Sequence, residues 1–393
     1  MEKHRNETDF IGDKKIADSA YYGINALRGH ENFNISEDKV ESTLIKAVAW
    51  VKKACALANL DCGGLDKKIA DAIVYACDKI ADGAYEEQFI VNPMQGGGGT
   101  SFNMNANEVI ANIALEFLGH EKGSYNIIKP LAHVNMAQST NDIFPTAINL
   151  ALILKSIELL GILNAAEASL LEKSREFGAK IKMGRTHLNA AASISFGQCF
   201  DAHAQMLNRD SKRISAATDP LYSVPLGGTA VGTGLDTTLA YRESVIDRLR
   251  EVTGIYIKAD SNLADGIHNV DNYAALSSAL KICMLNLSKM ASDLRILGSD
   301  KQHGFGELAL PPLQLGSSII PDKVNPVISE LINQVAFIVC GHDLSISMAA
   351  QAGQLELNVY KPVISHCLFK SINIMRESIS LFDTLYLREL QVT

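Results

Sequence analysis

Apolar positions recur along this chain at three- and four-residue steps, the spacing that places side chains on one face of an α-helix. From Asp38 onward Val40, Leu44, Ile45, Val48, Val51 and Ala54 follow that spacing. The same pattern predicts helices over residues 65–80, 104–118, 145–177, 190–214, 262–298, 326–352 and about 357–386. Gly119 is a natural stop for the helix over 104–118. Pro145 is expected in the first turn of its helix, where a missing N–H costs little. The first forty residues show turn signals at Gly12-Asp13 and Gly23 and no period, and read as irregular. Alternating β-branched runs are rare. Phe89-Ile90-Val91 and Lys180-Ile181-Lys182-Met183 are the short strands expected. The class is therefore all-α or nearly so, and a periodic pattern as long as that reaching Phe177 points to a bundle of long helices.

Composition narrows the classes of function. The 393 residues are 47% hydrophobic and 20% charged, with a net charge of -8, so a large core is available and no basic patch offers itself to nucleic acid. The start, Met1 to Glu7, is polar and resembles neither a signal peptide nor an anchor. No apolar run reaches about 18 uninterrupted residues, so no membrane span is expected. Seven cysteines without C-x-x-C spacing suggest reduced thiols and a cytoplasmic protein. The histidines form neither H-E-x-x-H nor H-x-x-x-H, and no G-x-S-x-G elbow is present.

The candidate chemistry lies in four polar loops between helices. They are Gly96-Gly97-Gly98-Gly99-Thr100-Ser101, the segment from His133 to Asp142, Gly184-Arg185-Thr186-His187, and Gly316-Ser317-Ser318-Ile319-Ile320-Pro321-Asp322-Lys323-Val324-Asn325-Pro326. Each has a plain reading as turn or cap, and Ser139 or Thr140 can cap the helix that follows. The four-glycine run lacks the G-K-[ST] ending of a P-loop. Together the loops supply hydroxyls, amides, backbone N–H groups and one lysine, a set suited to binding a dicarboxylate. A cation near a serine favours its alkoxide, a base able to take a proton from carbon.

The block from Gly316 to Pro326 resembles the G-S-S-x-M-P-x-K-x-N-P signature of the aspartase/fumarase superfamily, with Ile320 in place of the methionine. Blocks at Ala17–Gly23, Gly99–Asn105, Asn107–Val109, Ser139–Asp142, Gly184–His187 and Gly228–Gly234 agree in order, so the resemblance covers nearly the whole chain. It implies a central long-helix bundle (residues 138–393) after a smaller, mainly helical N-terminal domain (residues 1–137). It also implies a homotetramer whose active sites are shared between subunits. A small helical C-terminal domain begins in relatives about where Leu390-Gln391-Val392-Thr393 stands, so that domain is expected to be missing here. Thr100-Ser101 is similar to the G-T-S of the aspartase branch, where fumarases carry G-T-Q.

What the resemblance implies is elimination of ammonia from L-aspartate to give fumarate through an aci-carboxylate, with neither organic cofactor nor metal. A fumarase-like hydratase, or a carbon–nitrogen lyase acting on a substituted aspartate, is the alternative. The roles it carries over make Ser317 the base. Lys323 and Asn325 hold the α-carboxylate with Thr186 nearby. Thr100, Ser139, Thr140 and Ser318 hold the β-carboxylate, with Ser101 beside them in the same block. Asn141 and His187 hold the amino group, and Glu330 orients His187. The loop from about Lys301 to Asn325 would close over the substrate. After Gly-Arg-Thr-His the family continues towards Q-D-A, where this chain has Leu188-Asn189-Ala190-Ala191, a change in the surroundings of the pocket.

Overall fold

A computed structural model describes residues 3–320 and 323–393. The chain opens with strands β1 (His4–Asp9) and β2 (Gly12–Ala17), followed by helices α1 (Ile24–Asn32), α2 (Ser42–Asp61), α3 (Lys67–Ala81), α4 (Thr100–Phe117) and α5 (Thr140–Phe177). A hairpin of β3 (Ile181–Thr186) and β4 (Asn189–Ser195) then precedes α6 (Phe196–Thr218). Next come β5 (Ser223–Val224), α7 (Leu239–Thr253), β6 (Lys258–Ala259), α8 (Leu263–His268) and α9 (Asp271–Leu297). The last elements are β7 (Leu308–Ala309), α10 (Val327–Gln351), α11 (Lys361–Phe382) and β8 (Gln391–Val392). The four sheets among the described residues have two strands each, so the mostly-helical class holds.

Two compact units emerge from the contacts, each built from three stretches of chain. The first comprises Met1–Leu154, Pro220–Tyr273 and Ser345–Cys367; the second, Lys155–Asp219, Ala274–Leu344 and Leu368–Thr393. In the first, α2 packs on α3, α4 and α7, and α4 on α1. Its core includes Val48, Val51, Ile73, Ile110 and Leu249, all at most 1% exposed. In the second, Phe177 and Phe200 meet edge to face at 5.1 Å, among buried Leu163, Leu170, Leu207 and Leu287. These units divide α5, α9, α10 and α11; they are a partition by contact, of a different kind from a division in chain order at residue 137.

Several local expectations are corrected. Residues 4–32 form the β1–β2 hairpin and α1, held by polar bonds that a hydrophobic pattern does not register. Arg5 donates to the carbonyls of Ala17, Ala20 and Tyr22 at 3.0, 2.8 and 2.8 Å, and buried Glu7 accepts from Ile24 N at 2.8 Å. Helix α7 was not anticipated. Residues 89–91 are not a strand. Residues 181–186 are one, but its partner is 189–195, where the alanines suggested the start of a helix. Pro145 lies in the second turn of α5, because Ser139 and Asp142 cap that helix five residues before it.

Helices α5 and α10 are long and apolar enough to cross a bilayer by length and composition, although no uninterrupted apolar run announces it. In α5, 67% of that apolar window is buried in the protein's own core. In α10 only 33% is.

Candidate active site

In the first unit, two loops are built around one buried carboxylate. Ser139 caps α5: its Oγ accepts from Asn141 N at 3.2 Å, and Asp142 Oδ1 accepts from Ser139 N at 2.9 Å, a reciprocal pair of capping bonds. The other oxygen of Asp142 accepts from Gly227 N and Thr229 N, both at 3.0 Å. Asp142 is 0% exposed, and burial pushes its carboxyl up to about 6. One side chain thus fixes the 139–142 turn to the glycine-rich loop after β5. Asn141 adds a bond from Nδ2 to Ala230 O at 2.8 Å. Thr140 is buried, and its Oγ1 accepts from Asn103 Nδ2 at 3.1 Å.

Lys52 supports the same turn from α2. Its ammonium is 0% exposed and donates to Asn135 Oδ1 and Gln138 Oε1, each at 2.8 Å. Burial pulls its pKa down to about 7. Asn135 Oδ1 also accepts from Asn103 and Asn107 on α4, at 3.1 and 3.2 Å. A loop that carries three predicted site residues is therefore held by groups withdrawn from water, where each hydrogen bond is strong and an unmade one is costly.

The four-glycine run has a steric explanation. Gly97, Gly98 and Gly99 all have positive φ, at +87°, +65° and +99°, a region that L-residues avoid. A Cβ on Gly99 would lie 2.4 Å from the Phe144 ring. The run brings the chain tightly into α4, whose first residues are Thr100 and Ser101. Thr100 is exposed and donates to Gly97 O at 2.8 Å. Ser101 is half-buried; a Cβ on Gly29 would approach its side chain to 2.9 Å.

In the second unit, Thr186 and His187 sit at the exposed tip of the β3–β4 hairpin. His187 and Leu188 both have positive φ, +54° and +62°, a two-residue turn that matches the twist of the strands at a cost in strain for non-glycine residues. Asn189 Nδ2 closes it on His187 O at 3.1 Å. Asn189 therefore helps to hold the turn that presents His187.

The segment from Gly316 folds on itself. Gly316 N donates to Lys323 O at 2.9 Å, and Asn325 Nδ2 to Gly316 O at 2.7 Å. Half-buried Ser317 accepts at Oγ from the N–H groups of Ile319 and Ile320, at 3.1 and 3.0 Å. Ser318 and Lys323 are exposed; Pro321 and Asp322 lie outside the described residues. Glu330 approaches Arg295 at 3.9 Å and makes no bond to His187 within the chain.

The expected site residues divide between the two units. Thr100, Ser101, Ser139, Thr140 and Asn141 belong to the first unit; Thr186, His187, Ser317, Ser318, Lys323, Asn325 and Glu330 belong to the second. Sequence reasoning missed Asp142 and Lys52 as supports. Asp142 had a signal, an acid three residues after a cap serine. Lys52 had none, because a single lysine on an apolar helix face looks like any surface lysine. Among the described residues no cluster of three or more His, Cys, Asp or Glu side chains could hold a metal ion.

A family model described as lyase matches residues 12–341. Aspartate ammonia-lyase of Bacillus subtilis (strain 168) is 48% identical over 382 residues, 97% of this chain and 80% of that protein. Aspartate ammonia-lyases of other bacteria are 42–48% identical. Among solved structures, fumarate lyase:delta crystallin from Brucella melitensis bound to cobalt superposes with a TM-score of 0.98 at 42% identity, covering 100% of this chain and 85% of that one. Recombinant class II fumarase from Schistosoma mansoni gives 0.97 at 32% identity, with the same coverage.

Proposed function

This chain belongs to the lyase family, within the aspartase/fumarase superfamily, and from that premise we propose that it removes ammonia from L-aspartate with Ser317 as the base. It is a carbon–nitrogen lyase. The Ser317 alkoxide takes a proton from Cβ, and the electron pair of the C–H bond passes into the β-carboxylate as an aci-carboxylate dianion. That pair then returns to form the double bond of fumarate as the Cα–N bond breaks and ammonia leaves. The step as written calls on neither organic cofactor nor metal.

The observation that carries this reading is the pair of backbone N–H groups, from Ile319 and Ile320, aimed at Ser317 Oγ. Two fixed donors favour the charged oxygen over the neutral hydroxyl. Lys323 in the same loop adds a positive charge, and with Asn325 and Thr186 receives the α-carboxylate. Thr100, Ser101, Ser139, Thr140 and Ser318 receive the β-carboxylate, whose charge grows during the reaction and where donors count most. Asn141 and His187 hold the amino group. Within one chain Glu330 pairs with Arg295, so its proposed bond to His187 belongs to an assembly.

That assembly is a homotetramer with shared active sites, and α10 supplies its support. Phe337, Leu344 and Met348 are 68%, 63% and 62% exposed and lie seven and four residues apart, so one helix face presents a row of large apolar side chains. The division at residues 137 and 138 is part of the same reading: the N-terminal part contributes Thr100 and Ser101, and the remainder contributes the other loops. A cytoplasmic location accords with seven free cysteines.

The test is an absorbance assay for fumarate with L-aspartate, malate and argininosuccinate supplied separately to the purified protein. Fumarate is expected from aspartate. The Ser317→Ala variant should lose about three orders of magnitude in kcat with its helical circular dichroism unchanged. Fumarate from malate and not from aspartate would overturn the substrate; an active Ser317→Ala variant would overturn the base.

A further inference from the structure

The β3–β4 hairpin presents Thr186 and His187, yet most of β4 is exposed. A two-stranded hairpin has little stability of its own in water, and the strained His187-Leu188 turn adds to the load. Something outside the hairpin must hold its tip in register. A register shift between Gly184 and Arg185 re-aims the chain at the point where the anchor is found, as bulges often do beside sites.

The anchor is Glu307. Arg185, next to Thr186, donates from Nη1 to one carboxylate oxygen of Glu307. Lys182 Nζ lies 3.2 Å from the other. The Arg185 guanidinium also covers the Phe305 ring, 4.5 Å from its centroid. These three charged side chains are mostly shielded from water, at 8%, 23% and 17% exposure for Lys182, Arg185 and Glu307, so salt screens them little.

Glu307 is itself fixed at the backbone. Its N–H donates to Leu297 O at 2.8 Å, and its carbonyl accepts from Thr393 N at 3.3 Å. Gly306 N donates to Ser299 O at 3.0 Å. The following residues form β7, paired with β8, and Leu310 lies against Gly298, where a Cβ would be 2.3 Å from Leu310 Cδ2. From there the chain runs to Gly316 and Ser317. One carboxylate thus holds the hairpin that carries Thr186 and His187 and stands on the segment that runs on to the Ser317 loop.

We infer that Glu307, joined to Arg185 and Lys182, is a positioning residue for the elimination: it clamps the hairpin bearing Thr186 and His187 to the segment from which the Ser317 loop departs. The clamp touches no substrate. It acts through the placement of His187 and Ser317, and so it rests on the roles proposed above. Its specificity lies in geometry. A guanidinium both bonds a carboxylate and stacks on an aromatic ring, which an ammonium does not do as well.

The experiment uses the full chain with Glu307→Gln and Arg185→Lys, separately and each combined with His187→Ala. Glu307→Gln should lower kcat about tenfold or more while KM changes less than about threefold, because productive geometry is lost before binding is. In the His187→Ala background the further loss should shrink to about twofold, the mark of two changes acting through one element. Arg185→Lys, which keeps a cation, should show the same pattern at smaller size, and it decides the matter if Glu307→Gln does not fold. Amide hydrogen exchange over residues 186–189 and 310–320 should quicken in both variants. Losses that multiply fully with His187→Ala would overturn the clamp, as would kcat and KM within twofold of the unaltered protein. Should the unaltered protein make no fumarate from aspartate, the substrate reading fails by itself, and unchanged exchange in those two segments would then overturn the clamp independently.

Discussion

Two short polar turns lead into two long helices of this molecule, and they are held in opposite ways. The turn before α5 is tied by a carboxylate with no exposure, which gathers N–H groups from its own turn and from a loop about ninety residues further along the chain. The turn before α10 is tied to itself, through Gly316, Lys323 and Asn325, and leaves Ser318 and Lys323 in water. The first resembles a preformed receptor, costly to disturb because its polar groups have lost their water. The second can be altered at little cost to the fold, and its serine gains its character from adjacent backbone N–H groups. Under the roles proposed above, binding would fall to rigid groups and proton removal to a lightly tethered loop.

The comparison breaks first at Asp142. In Asp142→Ala the N–H groups of Ser139, Gly227 and Thr229 lose their acceptor, and buried unsatisfied donors cost about 1–3 kcal/mol each. A total loss of about 3 kcal/mol is expected in urea unfolding, together with loss of activity. Full stability in that variant would mean that the first turn is no more built-in than the second.

Gly316→Ala is the counterpart. Its Cβ would meet Lys323 O at 2.4 Å and Asn325 N at 2.9 Å, so the closed loop has to open. Here kcat/KM should fall roughly tenfold, about 1.4 kcal/mol of transition-state stabilisation, while the thermal midpoint hardly moves. A large drop in the midpoint would erase the contrast.

A smaller effect sharpens the account of buried charge in the first unit. Glu108 is 1% exposed and accepts from Gly23 N, Asn25 N, Asn25 Nδ2 and Ala26 N at 2.8–3.0 Å. Burial nevertheless pushes its carboxyl up to about 7, from 4.5. A carboxyl whose pKa is raised on folding contributes stability below its unfolded value and loses that contribution as pH rises through the folded value. The stability difference between the unaltered protein and Glu108→Gln should therefore decline from about pH 4.5 to about 7. Urea midpoints measured across that window check it, and a flat difference would show that the donors outweigh burial.

Much of this was legible in one dimension, and the failures are instructive. Helices α2 to α6, α10 and α11 follow from apolar spacing, with ends displaced by a few residues, whereas the single helix expected over 262–298 is two, α8 and α9, separated where Asn269 is extended. Helix α7 was missed although Thr238 caps it through Tyr241 N at 3.1 Å, Tyr241, Val245, Ile246 and Leu249 line its buried face, and Gly254 ends it at φ +69°. Its cap, its period and its stop were all present, but its polar face masked them. Residues 190–195 were expected as the start of the 190–214 helix; they form a strand because pairing with 181–186 overrides the helical preference of their alanines. In the site, hydroxyl and amide residues stood out in the loops. Of their supports, Lys52 and Glu307 did not, because a charged side chain looks the same in sequence whether it faces water or the core.

The amino-acid sequence by itself determined the helical class, the family and the chemical types gathered in the polar loops, since periodicity and motif are local properties that survive without a structure. Only the tertiary structure decided which charges are buried, which glycines are forced by a neighbour's approach, and which carboxylate clamps which loop. Those properties depend on what lies within a few ångströms in space, and in this chain the partners stand 86, 87 and 122 residues apart: Lys52 with Gln138, Asp142 with Thr229, Arg185 with Glu307.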